Sequence, residues 1–288
     1  MNPKNDKAFY SRGNAKMDLN DLNGAILDLT KAIEINPKYA EAFNTRGFAK
    51  YSLQNYTDAI LDFTKAIEIN PKYDEAFYNR GLSKYYLLDY SSGAILDYNK
   101  AIEMNPKNDK AFYSRGNAKM DLNDLSGAIL DYTKAIEINP NYADAFYNRG
   151  NVRYNIKDFN PAILDFTKTI EINPKYDKAF VNRGNAKYNL KDFNGAILDY
   201  TKAIEINPKL ADAFRNRGIV KKTLEDFDGA ILDFTIAIEI KPKNAGAYYN
   251  RGGAKISISQ KEDGCKDLKK AMELGSREAK DSFKTYCN

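Results

Sequence analysis

Eight Arg-Gly pairs cut this chain into units of one length. They begin at Arg12, Arg46, Arg80, Arg115, Arg149, Arg183, Arg217 and Arg251, and every step is 34 residues except a single one of 35. A unit of that size cannot bury an apolar face alone, so stability requires stacking against neighbours and the chain is expected to be an all-α array. The extra residue falls at Tyr90-Ser91-Ser92-Gly93, where it is predicted to lengthen a loop without moving any helix register. Residues 2–37 and 105–140 differ only at Asn23/Ser126 and Leu29/Tyr132. A three-unit block has been copied, so some sameness between repeats records history.

Inside the unit 40–73, Ala42, Phe43, Ala49 and Leu53 recur at helical spacing, as do Ala59, Ile60, Phe63, Ala66 and Ile67. Two amphipathic helices, A and B, are predicted per unit. Asn23, Thr57, Ser91, Ser126, Asn160, Asn194 and Asp228 are the expected caps of helix B, with Pro161 at a first helical position. Pro37, Pro71, Pro106, Pro140, Pro174, Pro208 and Pro242 should end it, because proline cannot continue a helix.

The recurring Phe-x2-Arg-Gly-x2-Lys, then Ala-x3-aromatic, then Ala, then Pro resembles the signature of the tetratricopeptide-repeat family over residues 2 to about 276. The resemblance implies a right-handed α-solenoid, a superhelix of eight helix-turn-helix repeats. Their expected bounds are 2–39, 40–73, 74–108, 109–142, 143–176, 177–210, 211–244 and 245–276. Residues 277–288 should form a capping helix, with Ala279, Phe283 and Tyr286 on one face. The recurring glycines and Ala25, Ala59, Ala94, Ala128, Ala162, Ala196 and Ala230 mark where helices A and B approach closely in that family.

Two positions depart from the family pattern. Arg stands before each Gly where Leu is usual, and four residues on comes Lys, or Arg at Arg153, where an aromatic is usual. Helix B carries Asp28, Asp62, Asp97, Asp131, Asp165, Asp199, Asp233 and Asp267 in matching number. We expect a partly buried ladder of structural ion pairs joining Arg12, Arg46, Arg80, Arg115, Arg149, Arg183, Arg217 and Arg251 to these carboxylates, since a paired charge tolerates burial and an orphan does not. The competing reading is that they are solvent-facing charges repeated only by duplication.

The family resemblance implies a concave groove lined by the A helices, which would hold a protein or peptide partner. The expected contact set is Asn79, Tyr113, Asn117, Tyr147, Asn148, Asn151, Tyr154, Asn155, Asn182, Asn185, Tyr188, Asn189, Asn216 and Asn250. A carboxamide offers donor and acceptor together, as a peptide backbone requires, and tyrosine supplies contact area at small entropic cost. The pattern resembles the asparagine ladder of O-linked GlcNAc transferase. Against it stands the reading that Asn and Tyr are merely abundant on a wet helix face.

Other functions are weighed on composition. The net charge of +5 could suit nucleic acid, and single-stranded RNA binding is the alternative reading, but Glu41, Glu75, Asp144 and Asp212 share the groove with its lysines and would repel phosphates. Histidine is absent, as are a phosphate loop and a metal-ligand cluster, so neither catalysis nor a cofactor or metal is expected. Cys265 and Cys287 are too few for a disulfide framework and are expected to be reduced. Neither a signal peptide nor a membrane span is legible, which makes cytoplasm the default expectation. A purely structural array that self-associates end to end through its uncapped first repeat completes the alternatives.

Overall fold

The computed structural model describes residues 5–287, apart from the side chains of Ser91 and Ser92. The described residues form seventeen α-helices and no strand. In the first compact unit, residues 1–145, these are α1 (Asp6–Asp18), α2 (Leu22–Ile35), α3 (Ala40–Ser52), α4 (Tyr56–Ile69), α5 (Asp74–Tyr86), α6 (Ile95–Met104), α7 (Asp109–Asp121) and α8 (Leu125–Ile138). Helix α9 (Ala143–Asn155) starts at the end of that unit. The second unit, residues 146–288, continues through α10 (Phe159–Ile172), α11 (Asp177–Asn189), α12 (Phe193–Ile206), α13 (Ala211–Thr223), α14 (Phe227–Ile240), α15 (Ala245–Ser257), α16 (Lys261–Glu273) and α17 (Arg277–Tyr286). None is long and apolar enough to cross a membrane.

Within each unit consecutive helices pack in antiparallel pairs, and A helices also touch the next A helix, as α3 does α5 and α13 does α15. The core is a series of small clusters, such as Phe43 with Ala66 and Ala76, or Phe180 with Ala203 and Ala213. Glycine permits the A–B crossing. A Cβ on Gly47 would lie 2.8 Å from the Phe63 ring, and one on Gly184 2.8 Å from that of Tyr200.

The start of helix B corrects the expected caps. It begins two residues earlier, with Asp21, Asn55, Asp124, Asp192 and Asp226 accepting the backbone N–H three residues on. A left-handed residue, Asn20, Gln54, Asn123, Lys191 or Glu225, precedes each and tightens the turn. Asn23, Thr57, Ser126, Asn160, Asn194 and Asp228 therefore lie inside the first turn; the side chain of Ser91 lies outside the described residues. Pro161 occupies the third helical position, where the missing N–H has no intrahelical partner to lose. That missing N–H also explains why Asp158 makes no side-chain cap.

The inserted residue is likewise absorbed in a helix, not a loop. Tyr90–Ala94 forms a π-helical turn, with Ala94 N–H donating to Asp89 C=O at 2.9 Å, and α-helical register resumes at Ile95. At the other end of helix B, Asn36, Asn105, Asn139 and Asn207, each before a proline, tie back to an aspartate at the start of helix A. Asn207 Nδ2, for example, donates to Asp177 Oδ2 at 2.8 Å.

Cys265 and Cys287 are joined by a disulfide, Cα to Cα 5.7 Å, which overturns the expectation of reduced thiols. The reason is topological: α17 folds back on α16, with Ala279 and Phe283 against Leu268 and Ala271, and this brings two cysteines 22 residues apart together.

Candidate functional site

Each repeat holds a three-residue charge cluster. Arg183 donates from Nη2 to Asp199 Oδ1 at 2.7 Å and from Nε to Oδ2 at 3.0 Å, while Lys187 Nζ meets Oδ2 at 2.8 Å. The same bidentate pairing joins Arg46 to Asp62, Arg80 to Asp97, Arg115 to Asp131, Arg149 to Asp165, Arg217 to Asp233 and Arg251 to Asp267, with Nη2 to Oδ1 at 2.6–2.7 Å and Nε to Oδ2 at 2.9–3.1 Å, and Arg12 to Asp28. The second cation is Lys16, Lys50, Lys84, Lys119, Lys221 or Lys255, with Arg153 in the fifth repeat. All eight carboxylates are buried. The Arg12 guanidinium, with Lys16 beside it, holds the Asp28 carboxyl below its usual range despite the opposing cost of burial.

The arginines also link repeats. Arg46, Arg80, Arg183, Arg217 and Arg251 donate Nη1 to Thr30, Thr64, Thr167, Thr201 and Thr235 of the preceding helix B at 3.0–3.1 Å, and Arg115 donates to Asn99. Each guanidinium lies 5.3–5.6 Å from the aromatic ring three residues before it. The sequence marked the recurring lysines and Arg153 but did not assign them to the carboxylates, and the threonines, which also recur in phase, were not anticipated.

On the A-helix face, the expected contact residues are largely joined to one another. Asn182 Nδ2 donates to Asn151 Oδ1 at 2.7 Å and to the Tyr147 hydroxyl at 3.1 Å. Asn216 donates to Asn185 Oδ1 at 3.0 Å, which also accepts the Tyr200 hydroxyl at 2.7 Å. Asn117 accepts from Tyr132 at 2.8 Å, and Asn189 donates to the Tyr154 hydroxyl at 3.2 Å. Asn250 donates to Gly246 C=O at 2.8 Å. Asn148 is half-buried in the same row, Asn155 is exposed, and the half-buried ring of Tyr113 lies 4.8 Å from that of Tyr142.

Asn79 is corrected. It is 5% exposed and donates to buried Asn44 at 3.2 Å, so it belongs to the interior of the first unit and offers nothing to a ligand. Its counterparts two to four repeats on, Asn148, Asn182 and Asn216, are half-buried.

In the second unit five expected residues, Tyr154, Asn185, Tyr188, Asn189 and Asn216, line one cavity of about 190 Å³. Tyr200 and Ile219 complete it; neither was anticipated, because Tyr200 comes from helix B and reaches the A face only through the gap above Gly184. Tyr132 is placed likewise over Gly116. Tyr98 is the exception. Leu82 stands where Asn117 and Asn185 serve the other two phenols, and the buried Tyr98 hydroxyl has no partner; burial pushes its pKa up.

With this geometry in hand, comparison with known proteins defines the class. The family model described as TPR repeat matches residues 13–54 and 116–157, and the tetratricopeptide-repeat model matches 40–73, 143–176 and 177–210. Together they span more than half of the chain, which belongs to the tetratricopeptide-repeat proteins, a class of helical arrays that serve in general as scaffolds for protein–protein interaction.

Among solved structures, the chain resembles YrrB, described as a TPR protein with an unusual peptide-binding site. That likeness is 25% identity over 64% of this chain and 95% of that one, TM-score 0.58. MamA is 28% identical over 57% and 96%, TM-score 0.54. The C-terminal part of a TPR repeat-containing protein from Cytophaga hutchinsonii, 21% identical over 82% and 97%, TM-score 0.69, shares the fold. No curated protein sequence matches the chain.

Proposed function

We propose that this chain is a non-catalytic adaptor that holds an extended peptide segment of a protein partner along the A-helix face of repeats five to seven. The observation that carries the reading is the cavity formed by Tyr154, Asn185, Tyr188, Asn189 and Asn216. Amphipathic rings alternate there with carboxamides held in place by neighbouring repeats, so the surface is ordered before a ligand arrives and little entropy is lost on binding. The likeness to YrrB, whose description names a peptide-binding site, supports the same reading.

The amides act in this reading as an oriented framework more than as free donors. Asn185 Oδ1 already accepts two hydrogen bonds, so a peptide would meet the remaining N–H groups and the phenol rings. Selection of random peptides displayed on phage, followed by fluorescence polarisation, tests it. Enriched peptides should lose at least about tenfold in affinity for the Asn185→Ala/Asn189→Ala variant, the scale of one or two lost hydrogen bonds. No enrichment, or unchanged affinity in a variant of native helicity, refutes the proposal.

A further inference from the structure

In the seventh repeat the array departs from its own pattern at two neighbouring positions. Lys222 stands where the fifth and sixth repeats carry Tyr154 and Tyr188, and one repeat on, Gly253 stands where they carry Asn151 and Asn185. Every other half-buried cation of the A-helix face described above is neutralised by an aspartate; adjacent Lys221, for instance, meets Asp233 at 2.9 Å. Lys222 is not. Its Nζ donates to Asn250 Oδ1 at 3.1 Å and lies 6.0 Å from the centre of the Tyr249 ring, and among the described residues no carboxylate pairs with it. Burial accordingly pushes its pKa below the ordinary lysine value.

The space beside that ammonium is open. A Cβ on Gly253 would come within 3.6 Å of Lys222 Nζ and would meet no other neighbouring side chain. Lys222, Tyr249 and Gly253 together line a cavity of about 380 Å³, walled in part by Ser282 and Tyr286 of α17. The disulfide holds this wall in place, since Cys287 directly follows Tyr286 and is tied to Cys265 of α16. A half-buried single positive charge, a neutral amide, an aromatic face and hydroxyl groups form a site for a compact monoanion. A phosphate, carrying about two charges, calls for more cations than one.

We propose that this cavity is an acid-accepting subsite of the groove, in which Lys222 pairs with the side-chain carboxylate of an aspartate or glutamate in the bound peptide. The inference rests on the peptide-binding reading above and adds to it the chemistry of one contact. A carboxylate on Lys222 would regain the charge pairing that the other repeats build internally, and Gly253 is what leaves it room. Specificity would follow, because a neutral isostere leaves the ammonium without its counter-charge.

The test uses the whole chain with its disulfide intact. Four dye-labelled decapeptides of Gly, Ser and Ala are compared by fluorescence polarisation at low salt: one with two central Glu and an amidated C-terminus, its Gln twin, and both again with a free C-terminal carboxylate. The amidated Glu peptide should bind about tenfold more tightly than its Gln twin, the scale of one charge-assisted hydrogen bond. That preference should vanish in Lys222→Gln and in Gly253→Leu, the second of which keeps the charge and fills the space. Thermal melts should show neither variant less stable than the native chain, because Lys222 has no carboxylate to lose and Gly253 sits mid-helix.

A Glu preference that survives both substitutions overturns the proposal. So does a free C-terminus that rescues the Gln peptide through Lys222, since the site would then hold a chain end. Peptides that bind with no preference for acid sink this subsite and leave the groove reading intact, whereas no binding by any of the four, together with a failed phage selection, removes both.

Discussion

The charge clusters make the sharpest claim about stability, and Asp199→Ala tests it. Asp199 is 4% exposed on its side chain and takes all of its neutralisation from Arg183 and Lys187, whose side chains are 16% and 21% exposed. Removing it leaves two cations facing each other in a site built for three charges. Breaking a buried pair from one side costs about 3–5 kcal/mol. Lys187 can carry its ammonium outward along its flexible stem, and Arg183 keeps Thr167 at 3.0 Å and its ring contact with Phe180, so the lower end of that range, about 3 kcal/mol, is expected. Native-state hydrogen exchange is the appropriate assay, because a repeat array need not unfold in one step. Protection should fall in α11, α12 and the helices beside them. The triple variant Asp199→Leu/Arg183→Met/Lys187→Met should recover most of the loss, since a well-filled apolar site replaces a buried ionic one at little cost. A loss below about 1 kcal/mol for Asp199→Ala, the scale of an exposed ion pair, would refute the claim that these charges are buried partners.

Two further outcomes follow from particular side chains. Tyr200→Phe should destabilise the second unit by about 1 kcal/mol because it removes one of the two hydrogen bonds that Asn185 Oδ1 accepts, whereas Tyr98→Phe should be neutral or stabilising because its hydroxyl has no partner, and Leu82→Asn should stabilise by supplying one; urea melts that rank these three otherwise would contradict the network. Reduction of Cys265–Cys287 should weaken α16 and α17 by about 2–4 kcal/mol in hydrogen exchange while leaving helices of the first unit unchanged, and a uniform effect across the chain would show that the repeats do not act as nearest neighbours.

The fold was legible because its causes repeat. Gly47, Ala59 and Pro71 each act locally, by allowing a close crossing or by stopping a helix, and seven or eight copies of each in phase made the pattern plain. What escaped were one-off solutions to local geometry. The left-handed residue before each helix B shifted the caps from Asn23 and its counterparts to Asp21 and its counterparts, and no periodicity distinguishes two polar residues that both lie near a turn. The inserted residue was placed correctly in the chain and wrongly in a loop, since a π-turn and a longer loop leave the same trace in sequence. The disulfide depended on how α17 folds back, which two cysteines alone do not encode.

The candidate site was legible by position and much less by chemistry. Residue type and repeat register brought Tyr154, Asn185, Tyr188, Asn189 and Asn216 to one cavity, but whether an amide points at solvent or at its neighbour depends on residues a full repeat away. Asn185 is claimed by Tyr200 below and Asn216 beside it, and Asn79 is drawn inward by Asn44. The same logic runs in reverse at the third and seventh repeats. In the third, Leu82 stands where asparagine accepts a phenol elsewhere and the Tyr98 hydroxyl has no partner; in the seventh, Lys222 stands where tyrosine is usual and meets Asn250 but, among the described residues, no carboxylate. Under the proposed function, a partner would be recognised at positions where the internal pairing breaks. Lys222 carries a charge beside a cavity of about 380 Å³, so under that proposal a substitution there should alter what the array binds while the fold stays intact.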